Sequence, residues 1–226
     1  MKWVIKITRD INKLREEIDI IDKKIVRLIL DRMDIVHQVG LTKSKDNSRI
    51  YVPEREIAIY KKLSNFSGLT STEIQSFYTE IISFCRKLEG TLNVGIKSNV
   101  LSFIGIKKIF GEYVSPIVVN QFEELDLKSV KYILSDFSTE TIEFIEKNNW
   151  YLINKINLNS DTLYLFSSYN NCIFESNDIT YVLYDDILSK EYIKIKPNLF
   201  VNLILFKNLE NFEKLNIKIL GTIPCI

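Results

Sequence analysis

Six polar residues lie on or near the apolar faces of this sequence, and their types suggest one chemistry. Arg15, Arg32, Lys43 and Arg55 are cations, while Glu56 and Glu89 are carboxylates. Arg32 and Lys43 are eleven residues apart, so at about 100° per residue they sit about 20° apart on one helix face. An unpaired buried charge costs several kcal/mol, so cations in excess of carboxylates on inward faces need an anion. Arginine grips a carboxylate through two parallel hydrogen bonds, which supply charge and orientation together. The set therefore points to a small molecule with more than one carboxylate. Taken singly, each residue has an ordinary explanation. An Arg on an apolar seam can snorkel, Glu54-Arg55-Glu56 can be a solvated helix start, and Lys43 can favour its helix C-terminus.

The elements that must position these residues are three helices. Ile11, Leu14, Ile18, Ile21, Ile25, Leu28, Ile35 and Val39 recur at steps of three and four, a heptad-like seam that predicts one helix from Ile11 to Lys43. Arg32 fills the gap in that seam. The polar run Ser44 to Arg49 ends the helix. Pro53 suits the first position of a second helix over about 53 to 64, with Glu54 in its first turn. Ile59, Tyr60 and Leu63 form its apolar face, which Glu56 shares, and Ser64 to Gly68 reads as a loop. Thr70 to Glu73 is a capping box opening a third helix that runs to about Glu89. Its stripe is Ile74, Phe77 with Tyr78, Ile81, Cys85 and Leu88. A helix roughly 50 Å long cannot bury its seam within about 90 residues, so an intertwined homodimer is expected.

Composition excludes several classes. Apolar content of 46% and charged content of 26% are those of a soluble globular protein. A net charge of +1 argues against nucleic acid as a partner. No apolar run is long enough to span a bilayer, and Met1 to Thr8 is too short in apolar content for a secretory signal. Cys85, Cys172 and Cys225 form no CxxC and read as reduced thiols of a cytoplasmic protein. The sole histidine, His37, has no second ligand residue nearby and reads as an ordinary helix residue. After Gly90 the pattern changes to short β-type runs, at 92–96, 116–120, 132–135, 150–156 and 162–166, alternating with helical segments at 100–110, 122–127 and 139–148. Further runs at 179–184, 199–206 and 217–220, with a short helix near 209–214, belong to the same domain or to a βαβ appendix. The expected class is α+β, with an all-α domain over 1–90 and a small α/β domain over 91–226. Lys97 comes one residue late for a phosphate loop beginning at Gly90.

The residues Leu14-Arg15, Ile18, Ile21-Asp22, Leu28, Asp31-Arg32-Met33, Val39-Gly40, Lys43 and Ile50 to Glu56, with Ile81 to Glu89, resemble the all-helical chorismate mutase family. The likeness covers about residues 9–90 with matching spacing. It implies an intertwined helical dimer that converts chorismate to prephenate on the route to phenylalanine and tyrosine, without metal or cofactor. It also implies roles. Arg32 pairs with one substrate carboxylate, and Arg15 of the second subunit reaches the other. Lys43 hydrogen-bonds the ether oxygen, Glu56 holds the ring hydroxyl, and Arg55 supports the carboxylate pocket. A concerted [3,3] rearrangement uses no nucleophile or proton transfer. Its catalysis rests on fixing a compact conformer and on donors aimed at the ether oxygen.

Three positions depart from that family's common pattern. Glu89 replaces a Gln donor, so it must carry a proton to help; an unperturbed Glu titrates near ~4.3 and burial raises it. Val52 replaces an Asp, which leaves the ring-hydroxyl end to Glu56. Cys85 replaces a Ser and is expected to affect packing only modestly. Further along, Ile106 to Gly111 and Phe122 to Leu125 resemble the start of a prephenate dehydratase. Asp161 to Tyr164 lies where that enzyme carries Thr-Arg-Phe, and the arginine is missing. Ile219 to Pro224 resembles the end of a regulatory module. These resemblances imply a shrunken dehydratase-like domain without dehydration chemistry. Isochorismate pyruvate lyase and a non-catalytic metabolite-sensing dimer are the alternative functions, separable by product analysis and by the effect of Lys43→Ala.

Overall fold

The computed structural model describes residues 10–43, 49–169, 178–212, 215 and 217–223. Helix α1 spans Ile11–Lys43 as its periodicity predicts. Asp10 starts it, its Oδ1 accepting from the Asn12 backbone N–H at 3.0 Å. Helix α2 runs over Pro53–Ser67, with Pro in the first turn and Gly68 in the left-handed region at φ 77° closing it. The loop expected at 64–68 is therefore helical to Ser67. Gly68, rather than the polar run before it, is the breaker. Helix α3 spans Ser71–Arg86, and both halves of the Thr70/Glu73 capping box are formed. It stops three residues before the expected Glu89, which lies in a following turn where the Glu89 N–H bonds to Arg86 O at 2.8 Å.

In α1 the seam is bare. Ile11, Ile18, Ile21, Ile25, Leu28, Ile35 and Val39 are 42–66% exposed, and α1 packs chiefly on α3. Lys43 closes the helix, but its side chain lies outside the described part, as do Met1 to Thr8, residues 44–48, Cys172, Pro224 and Cys225. His37 is exposed.

Among the described residues, the rest of the chain builds one nine-stranded mixed sheet with two helices. Strands β1 (Asn93–Lys97), β2 (Ser115–Val119) and β3 (Tyr132–Ser135) form a parallel trio with β1 in the middle. Helices α4 (Val100–Phe110) and α5 (Thr139–Asn148) follow β1 and β3. Strands β4 (Tyr151–Leu158) and β5 (Asp161–Ser167) form an antiparallel hairpin whose β5 pairs antiparallel with β3. Then come β6 (Ile179–Tyr184), β7 (Tyr192–Lys196), β8 (Leu199–Leu205) and β9 (Lys218–Ile223). The order is β2-β1-β3-β5-β4-β9-β6-β8-β7. The last four strands are therefore part of the same sheet and not a βαβ appendix. Strand β7, absent from the expected runs, lies at the sheet edge, with Ile193 and Ile195 half-buried against the core. The segments expected as helices at 122–127 and 209–214 are only short 3₁₀ turns, at Phe122–Glu124 and Phe206–Phe212.

Two hydrophobic clusters line the sheet faces, with Ile133 in one and Tyr132 and Leu134 in the other, as strand alternation requires. The two parts of the sheet meet at a single parallel pairing, Leu152 with Gly221. Gly221 has φ 148°, and a Cβ there would fall 2.1 Å from Leu152 O, so only glycine permits this junction.

Candidate active site

The helical region does not stand apart from the sheet. Tyr51, between α1 and α2, is buried in the cluster formed by β1, β3 and α4. Its ring lies 4.7 Å from that of Phe110, and its hydroxyl accepts from Asn154 Nδ2 at 2.7 Å. On α3, Glu80, Ser83 and Arg86 are spaced by three and face the end of α4. Glu80 Oε2 accepts from the Glu112 N–H at 3.0 Å, and Ser83 Oγ accepts from the Tyr113 N–H at 2.9 Å. Arg86 Nη1 donates to Phe110 O at 3.2 Å.

Between α1, α2 and α3 lies a cavity of about 690 Å³, within the usual range for small-molecule sites. Arg32, Arg55, Glu56, Cys85 and Glu89 all line it, so five of the residues singled out in the sequence are brought to one place. Arg32 Nη1 is buried and has no hydrogen-bond partner among the described residues. Its guanidinium carbon stands 5.8 Å from the centre of the Tyr78 ring, a contact that holds a cation without neutralising it. Arg15 is exposed on α1. It lies seventeen residues before Arg32, about 25 Å along the helix axis, and does not line this cavity.

Glu56 is buried. Its Oε1 is ion-paired with Arg86 Nη2, and its Oε2 accepts from the Tyr60 hydroxyl at 3.3 Å. Tyr60 in turn shares a hydrogen bond with Thr79 Oγ1 at 3.0 Å. Burial pushes the Glu56 carboxyl up from its ordinary range, and the Arg86 guanidinium pulls it back. Burial also raises the Tyr60 phenol, with the Glu56 charge adding to it. Glu89 is half-buried rather than enclosed, with its backbone against Gly40 of α1, where an added Cβ would come within 3.3 Å of the Glu89 Cα. Cys85 is a buried free thiol on α3.

The sequence reading missed Arg86. It follows buried Cys85 directly and is 3% exposed, with its guanidinium carbon 5.3 Å and 5.9 Å from the ring centres of Tyr51 and Phe110. Its three-residue spacing from Ser83 and Glu80 is the one signal that marks a second inward face on α3.

Residues 14–90 match the family model described as chorismate mutase type II. This helical region is a chorismate mutase type II domain, followed by a strand-rich domain. A bifunctional chorismate mutase/prephenate dehydratase of Aquifex aeolicus is 38% identical over 91 residues, covering 38% of this chain and 25% of that protein. A protein of the same description from Neisseria gonorrhoeae is 25% identical over 136 residues, covering 56% of this chain and 37% of the relative. The T-protein of Haemophilus influenzae is 25% identical over 153 residues, covering 66% of this chain and 37% of its own. The matches thus span between a quarter and about two fifths of these relatives. No solved structure matches the chain significantly. No helix among the described residues is long and apolar enough to cross a membrane.

Proposed function

We propose that this protein is a chorismate mutase that rearranges chorismate to prephenate as an intertwined homodimer. The observation that carries the reading is the unpartnered, buried Arg32 Nη1 in a cavity shared with Arg55, Glu56, Cys85 and Glu89. Arg32 takes one carboxylate of the substrate in a two-point grip, with Arg55 supporting the same end. Arg15 is too far from its own cavity to serve it, so Arg15 of a second copy grips the other carboxylate. Lys43 donates to the ether oxygen as its bond to carbon breaks and negative charge builds there, and Glu89 lines the same cavity. Glu56 accepts from the ring hydroxyl, because a carboxylate has lone pairs left after meeting Arg86 and Tyr60. Cys85 packs beneath the ring. No step requires a metal or cofactor.

The bare α1 seam supports the dimer, since a contiguous apolar stripe of this length is what a partner helix buries. We assign 1–90 to the mutase domain and 91–226 to a reduced, dehydratase-like or regulatory domain that lacks dehydration chemistry. The names of the bifunctional relatives support that assignment. Chemistry on a soluble dianion and a free buried thiol suit the cytoplasm.

Spectroscopic depletion of chorismate, with product identification, tests the reading. Wild type should form prephenate, and Arg32→Ala should lose nearly all of that rate. Release of pyruvate from isochorismate without prephenate formation would assign a lyase instead. Binding of chorismate without turnover would leave only a sensor.

A further inference from the structure

We propose that Arg86 is a positioning residue through which the C-terminal domain holds Glu56 in the mutase cavity. The inference rests on the mutase reading above and extends it to a residue outside the substrate's reach. Arg86 spends its donors in two directions. One end of the guanidinium meets Glu56 Oε1, and the other donates to Phe110 O, the last residue of α4. Tyr51 and Phe110, both fully buried in the sheet domain's core, flank its face. A planar fork bonded at both ends has little freedom to turn, so the Glu56 carboxylate is registered to the end of α4.

Arg86 is the cation that pairs directly with Glu56. The titratable and charged groups facing Glu56 are Arg86 from α3, Tyr60 from α2, Tyr51 from the link before α2 and Arg32 from α1. Arg55, Cys85 and Glu89 line the same cavity, and Lys155 of β4 lines a neighbouring one that Glu56 also borders. The two tyrosines are neutral, their phenols raised by burial, and Arg32 faces the cavity with an unpartnered nitrogen. The turn after α4 is held against α3 by the Glu80 and Ser83 bonds. Gly111 is required there, because at φ 72° an added Cβ would lie 2.6 Å from the Ser83 Cβ. The sheet domain is thus a structural part of the mutase site.

The test uses the full chain as wild type, Arg86→Lys, Arg86→Met and Glu56→Gln. Each is assayed for chorismate depletion between about pH 5 and 9, which brackets ordinary and raised carboxyl values, with the thermal midpoint recorded at each pH. In wild type the rate should rise with pH as Glu56 ionises, and Glu56→Gln should abolish that limb. Arg86→Lys should move the limb to higher pH, because an ammonium cannot span Glu56 and Phe110 O together. Arg86→Met should move it further and lower kcat at neutral pH on the order of tenfold to a hundredfold. Arg86→Lys decides alone if Arg86→Met does not fold. An unshifted limb in Arg86→Lys, or a uniform loss of rate that follows only the loss of folded protein, overturns the positioning role. A folded wild type without turnover overturns the mutase reading and the positioning role with it.

Discussion

Helix α1 and strand β3 are both rich in branched apolar residues, yet one is bare and the other is wholly covered. The α1 seam residues are 42–66% exposed, whereas Ile133 and Leu134 of β3 are fully buried. The sheet domain completes its core within one chain, with α4 and α5 contributing to its two clusters. The helical domain does not, since a long amphipathic helix gains stability from the face it packs and not from propensity. Incompleteness therefore marks the part to which we assign the chemistry: its seam is bare, and its cavity holds a cation nitrogen without a partner.

The comparison can be broken most severely at the cavity. Arg32→Ala should lower kcat/KM by about 10²–10³-fold, the scale for removing one preorganised donor, while urea unfolding stays close to wild type. A near-normal rate would mean that Arg32 is only a seam residue. Next in size is Ile25→Asp on the bare seam, which should convert the proposed dimer to monomers in sedimentation analysis. At micromolar protein it should also lower activity by about tenfold or more, since an unpaired charge buried in the interface costs several kcal/mol and dissociation removes the second copy's Arg15. Unchanged mass and activity would separate α1 from dimerisation. On the sheet side, Gly221→Ala should destabilise the fold by about 1–3 kcal/mol through overpacking at the β4–β9 junction. This should appear as a lower thermal midpoint, with the dimer retained. The smallest effect is expected from Glu89→Gln, which places a permanent N–H donor at the ether-oxygen position. Its rate at neutral pH should match or exceed that of wild type in the chorismate-depletion assay, since an amide N–H is a donor aimed at the developing charge. A rate well below wild type in Glu89→Gln would separate that position from the ether oxygen.

Glu56 supplies a stability signature that sharpens the same contrast. Its carboxyl is raised in the folded protein by burial, so the folded state holds the proton more tightly than the unfolded chain does. Stability contributed by that group is present at low pH and falls as pH rises from the ordinary carboxylate range through the raised value. The fall should extend to higher pH in Arg86→Lys, where the compensating cation fits less well. A pH-independent difference between variant and wild type would show that Arg86 acts only by packing.

Much of the helical region was legible because its signals are local. The seam from Ile11 to Val39, Pro53 at a helix start and the Thr70/Glu73 capping box each act within one or two turns. Among the strands, β3 and β6 were found with their observed limits, being short β-type runs between turn signals. The edge strand β7 was missed although Ile193 and Ile195 alternate with Lys194 and Lys196, because so short a lysine-bearing run ending at Pro197 resembles a polar connection. Arg55, Glu56, Cys85 and Glu89 were picked out individually, and the structure gathers them with Arg32. Arg86 was invisible because a cation beside a buried Cys on a helix looks like a solvated neighbour until the element that covers it is known.

The sequence by itself determined three helices, their inward faces and an excess of cations on them, since helical periodicity and charge are properties of neighbouring residues. Only the tertiary structure decided that Glu56 and Arg86 are partners, that Phe110 anchors them from another domain, and that one glycine joins the two parts of the sheet. Those contacts join residues 24, 30 and 69 positions apart. At such separations no repeating spacing survives, and only packing selects which groups meet.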